Sequence, residues 1–317
     1  MSKSSFSIAG VSAAPGAREA KVLDLTIAGT ATKLPLFVLN GAHEGPTVLV
    51  TAAIHGGEYV GTAAAMQLAL TTDLAALRGQ LVIAPIARMT AYAKRSIYIA
   101  PPDNKNLNRC FPGKTDGSFA EQLAHWIFTN LISKAEFYID CHGGDINEAL
   151  IPFSVVSISG NAAVDAKSMK LAEAFGIRYI LTSEVKGSTV SAAATIGVPA
   201  VLTEVGGQGQ WSLAEVKQMY DGLISSLAFA GSLERGFQAM PTQVLEHSAW
   251  MRSDHDGLWY PEVKVGDTVK AGQNLGHVTD FLGNTVQTAV ASMDGIVLFV
   301  VSTLAMNAGD PLLSIGA

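Results

Sequence analysis

Cysteine is nearly missing from this chain: two occur in 317 residues, too few for a disulfide framework to organise the fold. Cys110 and Cys141 each stand beside a motif residue and read as free buried thiols rather than as a pair. Charge is also sparse, at 15% of residues against the usual ~25%, and the mean hydropathy is +0.30. So apolar a chain has to bury much of itself between layers. Positive charge is the scarcer sign, with 21 basic against 27 acidic residues for a net −6, and no basic cluster stands out. Nucleic acid and anionic membrane surfaces are therefore not expected as partners. Long hydrophobic runs are absent too. The longest candidate, around Ser188 to Thr203, is broken by Gly197 and Pro199, so no segment reads as a membrane-spanning helix. The opening MSKSSFSIAGVSAAPGA has no leucine-rich centre, which argues against a secretory signal and makes a cytoplasmic location the expectation.

What is present is an alternation of strand-like and helix-like segments in a chain long enough for two domains. Strands are predicted at Val22 to Ile27, Leu34 to Leu39, Thr47 to Ile54, Leu81 to Ile86, Phe137 to Cys141, Arg178 to Leu181 and Ala200 to Glu204. Helices are predicted at Glu58 to Leu70, Phe119 to Ile132, Ala162 to Phe175 and Leu213 to Phe229. Strands such as VLVTAAI are apolar on both alternations, as central strands covered on each face must be. This is the pattern of an α/β domain, residues 1–242, with a central sheet and helices on both faces. After about Gln243 no helical period is visible, and short strands are separated by glycine turns, so residues 243–317 read as a small all-β domain. GDTVKAGQNLGHV followed by ASMDGIV resembles the biotinyl/lipoyl barrel sandwich. Carriers of that fold present a lysine at a hairpin tip; here the tip, Thr279 to Asn284, has none, which points to a structural or lid role.

Chemistry concentrates where predicted strands run into glycines. At the end of TVLVTAAI stands HGGE, whose His55 and Glu58 are spaced to reach one metal ion where a strand enters a helical turn. Seven histidines and 13 glutamates give roughly 0.3 such pairs by chance, so HGGE needs company. His142 ends FYIDC before Gly143-Gly144 and is the best third ligand; Asp140, two residues earlier on the same strand face, can hydrogen-bond the imidazole's other nitrogen. Glu204 ends VPAVLTE before Val205-Gly206-Gly207, where a carboxylate can take a proton from water and return it to a leaving amine. Three protein ligands leave zinc a fourth position for water. In NLNRCFPG, Asn108 and Arg109 can together grip a substrate carboxylate, and Arg95 upstream is a further candidate cation. Of the other histidines, His125 lies on an amphipathic helix, and His255, in SDHDG, stands at the junction of the domains.

HGGE, NLNRCFPG, DCHGG and TEVGG, in that order, resemble the aspartoacylase/succinylglutamate desuccinylase family of the zinc carboxypeptidase superfamily, over most of residues 20–230. The resemblance implies a mixed central sheet of zinc-carboxypeptidase type, with the β domain as the family's carboxyl-terminal appendage. It implies one zinc ion per chain held by His55, Glu58 and His142, and Glu204 as general base and acid. It places Asn108 and Arg109 at the substrate carboxylate and Arg95 at the scissile carbonyl. Relatives commonly hold that arginine closer to the NLNR motif, so Lys94 and Arg109 stand as alternatives for the last role. No aromatic residue is assigned to the place of the superfamily's mobile tyrosine.

The expected activity is zinc-dependent hydrolysis of the amide bond of a small N-acylated compound, an N-acyl amino acid above all. Two alternatives are a metallocarboxypeptidase acting on peptides and a non-catalytic binding protein that retains the fold. Acyl group, amino acid and oligomeric state, including a homo-oligomer, stay open.

Overall fold

The computed structural model, which describes residues 3–237 and 240–317, gathers the predicted strands into one nine-stranded mixed sheet. Its strands are β1 (Ala17–Ile27), β2 (Thr30–Asn40), β3 (His43–Ala52), β4 (Arg78–Ala84), β5 (Phe137–His142), β6 (Phe153–Ser157), β7 (Tyr179–Ser183), β8 (Ala200–Glu204) and β9 (Gln243–Leu245). They lie in the order β9-β7-β6-β8-β5-β3-β4-β2-β1. The central pairs β8–β5, β5–β3 and β3–β4 are parallel, so their carboxyl ends open on the same side. At β6–β8, β4–β2 and β2–β1 the direction alternates, which makes the sheet mixed.

Five main helices cover the sheet: α1 (Tyr59–Thr71), α2 (Phe119–Asn130), α3 (Ala162–Phe175), α4 (Thr189–Thr195) and α5 (Leu213–Phe229). The double-sided apolar strands explain their distribution. In β3, Leu49 packs in one core with Leu123 and Ile127 of α2 and Val190 of α4. Its neighbours Val48 and Val50 face the opposite core, with Leu68 of α1, Leu171 of α3 and Leu223 of α5. Helix ends follow the local chemistry: Ser118 with Glu121 and Ser212 with Glu215 form capping boxes, and Gly176 closes α3 at φ 85°. Among the described residues no helix is long and apolar enough to cross a membrane.

The carboxyl-terminal lobe is built from two antiparallel sheets. One contains Ser248–Arg252, Gly295–Val301 and Pro311–Gly316; the other contains Gly257–Pro261, Asn274–Thr279 and Thr285–Val290. Trp259, Val278, Val297, Leu313 and Ile315 fill the space between them. The tip after Thr279 exposes Phe281 and Leu282 and carries no lysine. The chain crosses between the lobes on both sides of the expected 242/243 boundary. Gln243–Leu245 pairs with β7 as the edge of the large sheet, while Glu148–Leu150 pairs with Gly295–Val301 of the small one. This strand exchange ties the C-terminal lobe to the segment that directly follows β5.

Candidate active site

The three parallel strands β3, β5 and β8 bring the separated motifs together. Register pairs Ala52 with Cys141 and His142 with Glu204, so HGGE, His142 and Glu204 emerge from neighbouring strand ends. HGGE is the turn from β3 into α1, and Glu58 is the N-cap residue of that helix. Its carboxylate makes no capping bond, which leaves it free to face the cluster. The glycines serve close packing here. A Cβ on Gly56 would lie 2.3 Å from the Ala91 carbonyl oxygen, and one on Gly143 would lie 2.5 Å from that of Val205.

His55 Nδ1 lies 2.6 Å from Glu58 Oε1, and His142 Nδ1 lies 3.0 Å from Glu58 Oε2. The outer nitrogens are engaged elsewhere: His55 Nε2 with Asn106 Oδ1 at 3.0 Å, and His142 Nε2 with Asp140 Oδ2 at 2.9 Å. With those outer positions protonated, the two inner imidazole nitrogens and the Glu58 carboxylate are free to share one cation, a proton or a metal ion. Ligand atoms of His55, Glu58 and His142 all lie within 4.8 Å of one another. Glu58 Oε2 is buried with no aligned hydrogen-bond donor. An orphaned carboxylate oxygen beside two imidazoles fits a divalent ion of nitrogen and oxygen preference. Burial would raise the Glu58 carboxyl, but His55 and His142 outweigh it and hold it down to about 2. Burial likewise opposes charge on His142, and Asp140 with Glu58 more than reverses this, leaving its pKa well above the ordinary imidazole value.

Asp140 is fixed by its own partners. Thr51 Oγ1 donates to Oδ1 at 2.6 Å, Thr189 Oγ1 donates to Oδ2 at 2.5 Å, and Tyr138 in turn bonds Thr51 at 2.7 Å. This buried network sets the orientation of His142.

Glu204 is half-buried as a residue, but its Oε2 has neither solvent access nor a partner. Burial pushes its pKa well above the carboxylate range, with the His142 charge pulling the other way. The cluster and Glu204 open into a cavity of about 660 Å³, also lined by Asn108 and Arg109. Asn108 Oδ1 accepts from the Thr189 N–H at 2.9 Å, so the amide oxygen is fixed at the start of α4. Arg95 is not brought to this place: it is exposed, has φ 52°, and is not among the residues lining the cavity. His255 is exposed and also stands apart from it, but Arg252, three residues earlier, is in the wall.

Several site residues escaped the sequence reading. Arg252 carries no local motif; a β-bulge between Met251 and Arg252 interrupts its strand, and its Nη1 donates to the Gly309 carbonyl at 2.8 Å. Arg109 and Arg252 both line the cavity, and partial desolvation together with the neighbouring Arg252 guanidinium lowers the Arg109 pKa. Neither forms an ion pair among the described residues. Tyr98, from the spacer between Arg95 and Asn108, lines the cavity with its ring centroid 6.3 Å from that of His55. Asp145 stands nearby, accepting from the Tyr98 N–H at 2.6 Å, and burial followed by the Glu58 charge raises its pKa to about 7. Arg88, fully buried, ties down the loop that carries NLNR. Its guanidinium donates to the carbonyls of Lys105 (2.8 Å), Ala100 (2.7 Å) and Pro101 (3.3 Å) and to Asp103 (3.2 Å).

The chain is similar to known proteins over most of its length. N-alpha-acetyl-L-2,4-diaminobutyric acid deacetylase of Halomonas elongata is 28% identical over 292 residues, covering 89% of this chain and 85% of that protein. A product-bound structure of the ectoine utilization protein EutE (DoeB) from Ruegeria pomeroyi superposes with a TM-score of 0.86 at 28% identity, covering 95% of each chain. A succinylglutamate desuccinylase/aspartoacylase from Rhodobacter sphaeroides, 23% identical, shares the fold with a TM-score of 0.84 over 95% of both chains. Residues 44–230 match the succinylglutamate desuccinylase/aspartoacylase catalytic domain, and the chain belongs to that family.

Proposed function

We propose that this chain is a zinc-dependent deacylase that hydrolyses the amide bond of an N-acyl amino acid. The observation that carries the reading is the convergence of His55, Glu58 and His142 within 4.8 Å beside the unpartnered Glu204 carboxylate. Bound by those three residues, zinc would supply Lewis-acid polarisation of the acyl carbonyl and acidify water.

The chain's own groups do the rest. Glu204, its pKa raised by burial, takes a proton from the attacking water and hands it to the departing amine. Asn108, Arg109 and Arg252 hold the substrate carboxylate, the guanidiniums offering forked donors. Asp140 fixes the His142 ring. Arg109 and Arg252, themselves partly open to solvent, line the cavity, and Arg95 does not. The C-terminal lobe supplies part of the cavity wall through Trp250, Arg252 and Asp310, which favours a small substrate over a peptide. The deacetylase relative acts on N-alpha-acetyl-L-2,4-diaminobutyric acid, a small N-acylated amino acid, in keeping with this reading.

The test is Glu204→Gln. It should lower kcat on N-acetyl amino acids by about 10²–10⁴-fold with zinc content unchanged. In the parent enzyme kcat/KM should fall as pH drops through the raised Glu204 pKa, because only the ionised carboxylate accepts a proton. Turnover retained by the Gln variant would remove Glu204 from the chemistry.

A further inference from the structure

One part of the cavity wall is an apolar strip, although Ser183, Ser314 and Glu148 also line the cavity. From Glu204 outward its floor turns apolar in register order: Glu204 pairs with Phe153, Leu202 with Val155, and Val155 in turn with Leu181. Registered partners share a sheet face, and Leu202 lies two residues before Glu204 on the same strand. Leu202, Phe153, Val155 and Leu181 therefore continue from the carboxylate as one surface toward the sheet edge, and all four line the cavity. Leu298 of the C-terminal lobe packs with Phe153 and Leu181, and Trp250 and Phe299 belong to the same wall. None of these side chains carries a charge.

The floor adjoins the carboxylate anchors. Val190, a cavity residue, follows Thr189, whose N–H binds Asn108. Gly187 lies so close that a Cβ there would be 2.7 Å from the Arg109 carbonyl oxygen. Asp145, by contrast, is bound to Tyr98 on the HGGE side. A substrate whose carboxylate sits at Arg109 and Arg252, with its amide nitrogen at Glu204, lays its side chain on the apolar floor. A charged side chain lying on Leu202, Val155, Phe153 and Leu181 would be desolvated without a partner among those four.

We propose that the amine half of the substrate is an α-amino acid with an apolar side chain, seated on Leu202, Val155, Phe153 and Leu181. This rests on the deacylase reading above and narrows it to a substrate class different from the diamino and acidic compounds named for the relatives.

The experiment uses the zinc-loaded full-length chain in two arms. One measures kcat/KM for the N-acetyl derivatives of alanine, 2-aminobutyrate, norvaline and norleucine, beside those of 2,4-diaminobutyrate and aspartate. The other lengthens the acyl group on alanine from acetyl to butyryl and hexanoyl. Burial of each methylene should raise kcat/KM about fourfold along the amino-acid series. Norleucine should exceed both charged derivatives by at least about tenfold, and the acyl series should stay flat. Val155→Phe, which fills the floor, should lower the norleucine-to-alanine ratio by about tenfold. A flat amino-acid series, a faster charged derivative, or a gradient in the acyl arm alone would each overturn the assignment. Failure to hydrolyse any N-acyl amino acid would instead refute the deacylase reading on which it stands.

Discussion

Arg88 offers a direct test of how the substrate loop is held. The side chain is 0% exposed and its four bonds tie the segment from Ala100 to Lys105 to the end of β4, just ahead of Asn106, Asn108 and Arg109. Replacing it by Met keeps the aliphatic stem and removes the fork. Three carbonyls and Asp103 then lose the guanidinium, although the Ala100 carbonyl keeps the Asn104 N–H at 3.1 Å and Asp103 Oδ2 keeps the Ala120 N–H at 2.8 Å. Breaking a buried ion pair by removing one partner costs about 3–5 kcal/mol. At ~2–4 °C per kcal/mol for a domain of this size class, Tm should fall by roughly 6–20 °C. Because the freed loop carries Asn108 and Arg109, the residues proposed to bind the carboxylate, KM for an N-acetyl amino acid should rise more than kcat falls. Arg88→Lys should rescue poorly, since one ammonium cannot span acceptors arranged for a planar fork. Thermal unfolding and steady-state kinetics on the same zinc-loaded preparations check both parts. A variant with unchanged Tm and unchanged KM would show that the loop holds its shape without Arg88.

Two further substitutions probe the site itself. Asp140→Asn keeps the shape of the side chain but loses the charge that orients His142, and zinc affinity measured by chelator competition should weaken about 10–100-fold; equal affinity would deny Asp140 that role. Arg252→Gln should raise KM for an N-acetyl amino acid about tenfold while leaving KM for its carboxamide unchanged, since only the acid offers a carboxylate to the guanidinium. A parallel loss on both compounds would assign Arg252 to the reacting carbonyl instead.

The parts of this structure that were legible in the sequence are those where local chemistry is self-sufficient. The helices Ala162–Phe175 and Leu213–Phe229 stand within their predicted bounds because Asn161, Gly176 and the Ser212/Glu215 box mark their ends. His55, Glu58, His142 and Glu204 converge because each ends, or closely follows, a strand of one parallel group, and strand ends are readable from apolar runs that stop at glycine. Helix Thr189–Thr195 was not anticipated, since VSAAAT has no distinct period and lies in an apolar run that ends at Pro199. Strand Phe153–Ser157 was missed because serines interrupt its apolar alternation. Arg252 and Tyr98 reach the cavity through lobe packing and loop path, which no spacing rule encodes. Arg95 shows the converse: its place in the sequence suited a motif, but its backbone carries it to the surface.

The most direct test of the account is metal stoichiometry measured alongside turnover. The purified chain should hold one zinc ion, lose both zinc and N-acetyl amino acid hydrolysis on chelation, and recover both on adding one equivalent. A His55→Ala, His142→Ala double variant should do neither. Full hydrolysis by a preparation stripped of metal, or zinc bound equally well by the double variant, would contradict it.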